Sequence, residues 1–184
     1  MKNLITFSTI LFYSLNISAQ GKTEPYWLSL GLGLGGGKSS TLNTSIGANF
    51  SLSKQKHLFS IRCLYNKEVS FLGESLPAIT CWDAGLLYGR YLHGKRWAAS
   101  ISSGIACSGV VQRGKYLYSN GGWFGTSYYE KKKFITVGLP IEGQLFWTPS
   151  SQVGFGLIGF VNFNSRESFG GGLICLHLGI FDYP

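Results

Sequence analysis

The sequence predicts an all-β chain, an eight-stranded antiparallel up-and-down transmembrane β-barrel. Three observations carry that prediction. The first is a period-2 alternation, clearest in FITVGLPIEGQLFW at 134–147. One parity holds Ile135, Val137, Leu139, Ile141, Leu145 and Trp147; the other holds Thr136, Gly138, Pro140, Glu142 and Gln144. Such a segment is extended and has two unlike faces. Its carboxylate sits on the face with small residues, which suits a crowded polar interior, with the bulky face turned to lipid. The second is composition. Only 13% of residues are charged, against about 25% in soluble domains, while aromatics reach 15% and glycines number 26. The third is rhythm, because the connections between alternating runs are short and long in turn, as in spanning barrels.

Residues 1–19 read as a secretory signal, with Lys2, an apolar stretch from Leu4 to Leu15, and Ala19 before Gln20. The barrel domain is then 20–184. No apolar run of about 18 residues follows, so no spanning helix is expected.

The strands follow in order. Strand one covers 26–35, with Leu28, Leu30, Leu32 and Leu34 outward and Trp27, Ser29, Gly31 and Gly33 inward. Its GGGKS end is not a phosphate loop, since Leu32 stands where that loop needs glycine and another alternating run follows. Strand two covers 41–52 and strand three 57–65, with Arg62 inward. Strand four covers 78–92, with Asp83 inward and Arg90 on the outward parity, snorkelling or beyond a bulge at Gly89. Strand five covers 96–111. The longest connection, 112–133, precedes strand six at 134–147, where Pro140 calls for a bulge. Strands seven and eight cover 153–164 and 169–181, with His177 inward. Eight is an even number, and closure removes edges that lipid cannot satisfy. Tyr26, Tyr91, Trp97, Trp147, Phe181 and Tyr183 are expected to form a girdle near the short-turn end.

This pattern resembles the small eight-stranded outer-membrane barrels of Gram-negative bacteria. The resemblance rests on the signal segment, GLPIEGQLFWTP…VGFGLIGF at 138–160, LLYGRYL at 86–92 and the aromatic C-terminus at 181–183. It implies a cell outer membrane location, periplasmic termini, outer-membrane lipids as surroundings and insertion by the barrel-assembly machinery. It implies no catalytic residue and no cofactor. Pro184 after Tyr183 departs from the family habit of ending on an aromatic.

Arg62, Asp83, Glu142 and His177 form the inward ionisable set, expected as an interior polar network with water. With Ser100 and Ser102 they also hold the residue types of a hydrolytic triad. An interior triad at the short-turn end is poorly placed for outer-leaflet lipid, so a deacylase or acyltransferase ranks second to a non-enzymatic barrel with structural or surface-interaction duties. A soluble lipocalin-like carrier would need the inverse distribution of polarity. In the long connection, Tyr116, Tyr118, Trp123, Phe124, Tyr128 and Tyr129 lie among Lys115 and Lys131–Lys133. They are candidates for contacting an extracellular ligand, or for packing on one another in a hairpin extended beyond the membrane. The formal charge of +8 is scattered over the turns, which speaks against nucleic acid as a partner. Cys63, Cys81, Cys107 and Cys175 lack metal-ligand spacing, so no metal is expected, and Cys63 and Cys81 fall on opposite faces.

Overall fold

In a computed structural model of the chain, the structure describes residues 24–40, 42–69, 75–122 and 125–181. The segment read as a signal lies outside the described residues, as do Trp123, Phe124 and Tyr183. The strands are β1 (Tyr26–Gly37), β2 (Asn43–Lys54), β3 (His57–Glu68), β4 (Ser75–Leu76), β5 (Thr80–His93), β6 (Trp97–Ser119), β7 (Ser127–Trp147), β8 (Val153–Asn164) and β9 (Phe169–Ile180). Eight long strands pair antiparallel with their chain neighbours, and β1 pairs with β9 to close the ring. The ninth, β4, is a two-residue strand running parallel to β7. It belongs to the connection between β3 and β5, so that connection crosses to the far side of the ring.

The expected faces hold. Leu30, Leu32 and Leu34 are exposed, as are Ile61, Leu86, Ile105, Ile135, Leu157 and Ile174. Trp27, Ser29, Arg62, Asp83, Ser102, Glu142 and His177 are buried inside. A soluble protein scatters its exposed apolar residues singly, whereas this wall is apolar on every strand. Cys63 and Cys107 face outward, while Cys81 and Cys175 face inward, and all four are free thiols.

Several expectations are corrected. The connection expected at 112–133 shortens to the stretch between Ser119 and Ser127, because β6 and β7 continue as a ribbon, the extended hairpin that is one of its two expected forms. Gly114 and the run of lysines interrupt the alternation there, and the ribbon itself carries register shifts between Arg113 and Tyr118. Pro140 makes no bulge. The β6–β7 ladder lapses opposite Gly104 and Ile105, where Pro140 cannot donate, then resumes with Ser103↔Ile141 in the same register as Ala106↔Gly138. Gly89 makes none either, since pairing with β6 is continuous from Thr80 to His93. Arg90 therefore stays on the outer face. Tyr91 and Phe181 are not girdle residues; both are buried in the lumen, in keeping with the inward parity of Asp83 and His177.

The lumen is also more apolar than small-and-polar patterning implies. At the short-turn end Trp27, Leu58, Tyr91, Ala98, Phe146 and Phe181 form a plug. The Trp27 ring lies 5.0 Å from Tyr91 and 5.5 Å from Phe146, centroid to centroid. Toward the long-loop end Leu64, Ile79, Val110, Ile158, Phe160, Phe169 and Leu173 form a second apolar layer. Small inward residues leave room for these large ones. A barrel of eight strands has an interior that side chains fill.

An outer face built for hydrocarbon gives a direct expectation. Ile105→Arg places a cation midway along β6 on that face and lowers stability by about 2–4 kcal/mol, read as urea unfolding from lipid vesicles. A change within about 0.5 kcal/mol, as at an ordinary solvated surface, contradicts a lipid-facing wall.

Candidate functional site: a charged lumen and a projecting ribbon

Two places in the fold gather chemistry. The first is the lumen between the two apolar layers. Alternation turns Arg62 of β3 and Asp83 of β5 inward, and across the ladder Arg62 pairs with Gly85. Arg62 holds Asp83 by two contacts, Nη2–Oδ2 at 2.6 Å and Nε–Oδ1 at 3.2 Å, and its Nη1 reaches Glu142 Oε2 at 3.4 Å. Amide donors complete the shell. Asn49 and Gln144 donate to Glu142 Oε1 at 2.5 and 2.7 Å. Asn162 donates to Asp83 Oδ2 at 2.7 Å and to Ser108 at 3.1 Å. Gly138 is required here, because a Cβ on it meets the Asn162 amide. Charges so buried are held only by such pairing.

Of the four inward ionisable residues, the structure brings three together. His177 stands apart, one layer nearer the short turns. Its Nδ1 lies 2.8 Å from Ser29 Oγ and its ring stacks on Phe146 at 4.4 Å. Glu142 is engaged by Arg62, Asn49 and Gln144, and no contact joins it to His177. Ser102 faces Glu142 across the β6–β7 ladder, but no hydrogen bond joins Ser100 or Ser102 to a base, and both Oγ atoms are buried without a partner among the described residues. The residues of a triad are present without its geometry. Asn49, Asn162 and Gln144 were not singled out by sequence reasoning. Their inward parity was the available signal.

Above the second apolar layer, two acidic residues tie the loops down. Glu68 pairs with Arg113 and accepts the Ile79 N–H at 3.0 Å, while Arg113 also donates to the Ser75 carbonyl at 3.2 Å. The carboxylate of Glu167, fully buried, accepts from Ser39 and from Gln112. These contacts draw the β3–β5 connection over the lumen and hold the Ser39 turn against the β8–β9 turn.

The second place is the β6–β7 ribbon. Pairing of β6 with β5 ends at Val111, and pairing of β7 with β8 ends at Gly138. The eight residues from Gln112 to Ser119 thus project, roughly 25 Å at the usual strand rise. Cross-strand rings pack on it: Tyr116 and Tyr129 edge-on at 5.5 Å, Tyr118 and Tyr128 stacked at 4.5 Å. Lys115, Lys131, Lys132 and Lys133 are exposed along it. Arg166 lies over the Phe134 ring at 4.7 Å, near its base. Four of the six aromatic contact candidates therefore sit on strand, paired with one another.

Loss of the lumen cation has a stated cost. Arg62→Met leaves two buried carboxylates uncompensated and destabilises by about 3–5 kcal/mol, measured by unfolding in lipid. Adding Asp83→Asn and Glu142→Gln to that variant recovers most of the loss. An Arg62→Met protein of unchanged stability refutes the pairing.

No protein-family model matches this sequence, and no curated protein matches it. Solved structures do. Neisserial surface protein A superposes with a TM-score of 0.61 at 8% identity, over 84% of this chain and 96% of that one. Ail, the attachment invasion locus protein of Yersinia pestis, gives 0.57 at 8% identity, over 86% of this chain and 99% of that one. Ail in complex with the heparin analogue sucrose octasulfate gives 0.55 at 10% identity, over 86% of this chain and 100% of that one. The N-terminal β-barrel domain of Pseudomonas aeruginosa OprF gives 0.54 at 7% identity, over 84% and 97%. Apolar wall, filled lumen, closed ring and these superpositions agree: the chain has the fold of the small eight-stranded outer-membrane β-barrels.

Proposed function

We propose that this chain is a non-enzymatic barrel of the Gram-negative outer membrane that works through surface contacts of its extracellular loops. On this reading residues 1–19 direct export, the barrel-assembly machinery inserts the mature chain, and outer-membrane lipids surround it. The observation that carries the reading is the projecting ribbon. A membrane anchor alone needs strands long enough to span, yet β6 runs for 23 residues and β7 for 21, where most of their neighbours have 12. The surplus is a rigid, aromatic and cationic arm on the side away from the short turns.

The arm's chemistry fits a polyanion. Lys115 and Lys131–Lys133 present ammonium groups, and Glu130, within 3.8 Å of Lys132, is the carboxylate among them. The stacked tyrosines offer flat faces on which sugar rings rest. A sulfated or phosphorylated saccharide joins both features. The Ail complex with a heparin analogue supports the reading by fold analogy. The sealed lumen supports the non-enzymatic part, since the serines and His177 lie behind apolar layers that no acyl chain crosses.

The test uses the whole chain inserted in membranes. Replacing Lys131, Lys132 and Lys133 with Gln leaves heat-modifiable migration of the folded barrel unchanged. It lowers binding to immobilised heparin by roughly tenfold or more at low ionic strength, an effect that salt erases. Tyr118→Ser with Tyr128→Ser weakens binding while keeping its salt dependence. Heparin binding that ignores both sets of changes refutes the arm as contact surface. Altered lipid A masses in cells that make the protein would instead favour a lipid-modifying enzyme.

A further inference from the structure

The outer wall carries a cation where its parity calls for an apolar side chain. Arg90 of β5 points outward, between Tyr88 and Leu92 on the same face. Across the ladder it pairs with His57, the first residue of β3 after the two-residue turn Gln55-Lys56. It therefore lies near the short-turn rim, the end opposite the projecting ribbon. Phe59 and Tyr88 pack beside it with centroids 5.2 Å apart, and both are about half exposed on the wall. Trp97 and Trp147, paired at the same rim, are exposed too. Amphipathic aromatics at one level mark the depth of lipid head groups.

Three side chains there form a one-way chain of hydrogen bonds. Arg90 Nη1 lies 3.4 Å from His57 Nε2, and His57 Nδ1 lies 2.5 Å from Tyr88 Oη. A guanidinium only donates. His57 Nε2 must then accept, its Nδ1–H donates to the phenol oxygen, and the phenol keeps its own O–H to give away. The cluster ends in donors on both sides: the Tyr88 O–H and the remaining N–H groups of Arg90. Among the described residues no carboxylate pairs with Arg90. Glu24, near the same rim, is held by Lys54 at 3.3 Å. The flanking turns add Lys56, Lys95 and Arg96, all exposed. A donor-only cluster with a net positive charge, at head-group depth, lacks an anion.

We propose that Arg90, His57 and Tyr88 form a binding site for the phosphodiester of an anionic glycerophospholipid in the periplasmic leaflet. The proposal rests on the membrane-inserted reading given above. Arg90 meets the phosphate oxygens with two N–H groups, the geometry in which a guanidinium binds phosphate best. Tyr88 donates its hydroxyl to a further oxygen. His57 contacts no lipid; it positions the phenol and guanidinium relative to one another. Phe59 and Leu92, on either side, meet the start of the acyl chains.

The experiment places the full barrel in nanodiscs of phosphatidylcholine with graded phosphatidylglycerol. Lipids retained on the released protein are counted by native mass spectrometry. The wild-type chain retains phosphatidylglycerol in preference to phosphatidylcholine. Arg90→Gln lowers that preference about fivefold, as expected for one interfacial cation, whereas Arg90→Lys keeps most of it. Tyr88→Phe lowers it less, and Lys38→Gln, in the exposed turn after β1 at the opposite end, leaves it unchanged. Heat-modifiable migration verifies that each variant is folded and inserted. Equal retention of the two lipids by the inserted wild type overturns the site, as does loss with Lys38→Gln in place of Arg90→Gln. Abolition of the preference by inorganic phosphate alone also overturns it, since a free ion then suffices. Failure of the chain to enter bilayers at all is a separate result and defeats the membrane reading instead.

Discussion

Hydrocarbon offers a backbone N–H no acceptor. Every amide in the wall of this protein must therefore find its partner on a neighbouring strand, and the first strand must find the last. The β1–β9 ladder meets that demand across twelve pairs, from Tyr26↔Ile180 to Gly37↔Phe169. Near its upper end glycine lies against glycine, at Gly35↔Gly171 and Gly36↔Gly170. There the seam is backbone on backbone, and a side chain on Gly35 or Gly171 meets the opposite carbonyl. The other features of the structure presuppose this closed ring. Without it there is no lumen to bury Arg62 and no rim on which to set Arg90.

Closure creates a second problem, which the lumen solves in layers. A narrow interior cannot be left empty and cannot be all charge. Aromatic rings fill the short-turn end, branched aliphatics and phenylalanines fill the other, and between them one guanidinium holds two carboxylates. The polar layer spans β2, β3, β5, β7 and β8 through Asn49, Arg62, Asp83, Glu142 and Asn162. It cross-braces the ring through side chains as the ladders do through the backbone. Apolar layers on either side lower the local dielectric around these pairs and so strengthen them.

Much of this was legible in the sequence, because a period of two names a face without ambiguity. It assigned Leu30, Leu32 and Leu34 outward, and it assigned Arg62, Asp83, Glu142 and His177 inward. Parity also held the answer for Tyr91 and Phe181, but their place near strand ends suggested a girdle instead. What parity cannot give is partnership across the lumen. That depends on how far each strand is staggered against the next. Glu142 and His177 lie at similar distances from their short turns, yet His177 falls level with Phe146 and Ser29. Asn49 and Asn162 come from strands far apart in the chain and meet one charged cluster, Asn49 at Glu142 and Asn162 at Asp83. The ribbon was one of two readings of 112–133, and its bounds were the harder part: above the membrane both faces meet water, so hydrophobic alternation fades while the strands persist. Trp123 and Phe124, named as contact candidates, lie outside the described residues.

The ribbon leaves the ring, and so it regains what the ring abolished. Among the described residues, β6 from Gln112 to Ser119 has a strand on one side only, and β7 above Gly138 is covered on its second side at Ser127 and Tyr128, by β4. Bare strand margins invite copies of a protein to zip together into fibres. Here the margins carry Lys115 and Lys131–Lys133, whose mutual repulsion holds two such arms apart at ordinary salt. Two of these barrels set side by side would thus keep their tips from fusing. The lysines that guard against self-adhesion are the same ones that the proposed function turns toward a partner of opposite charge.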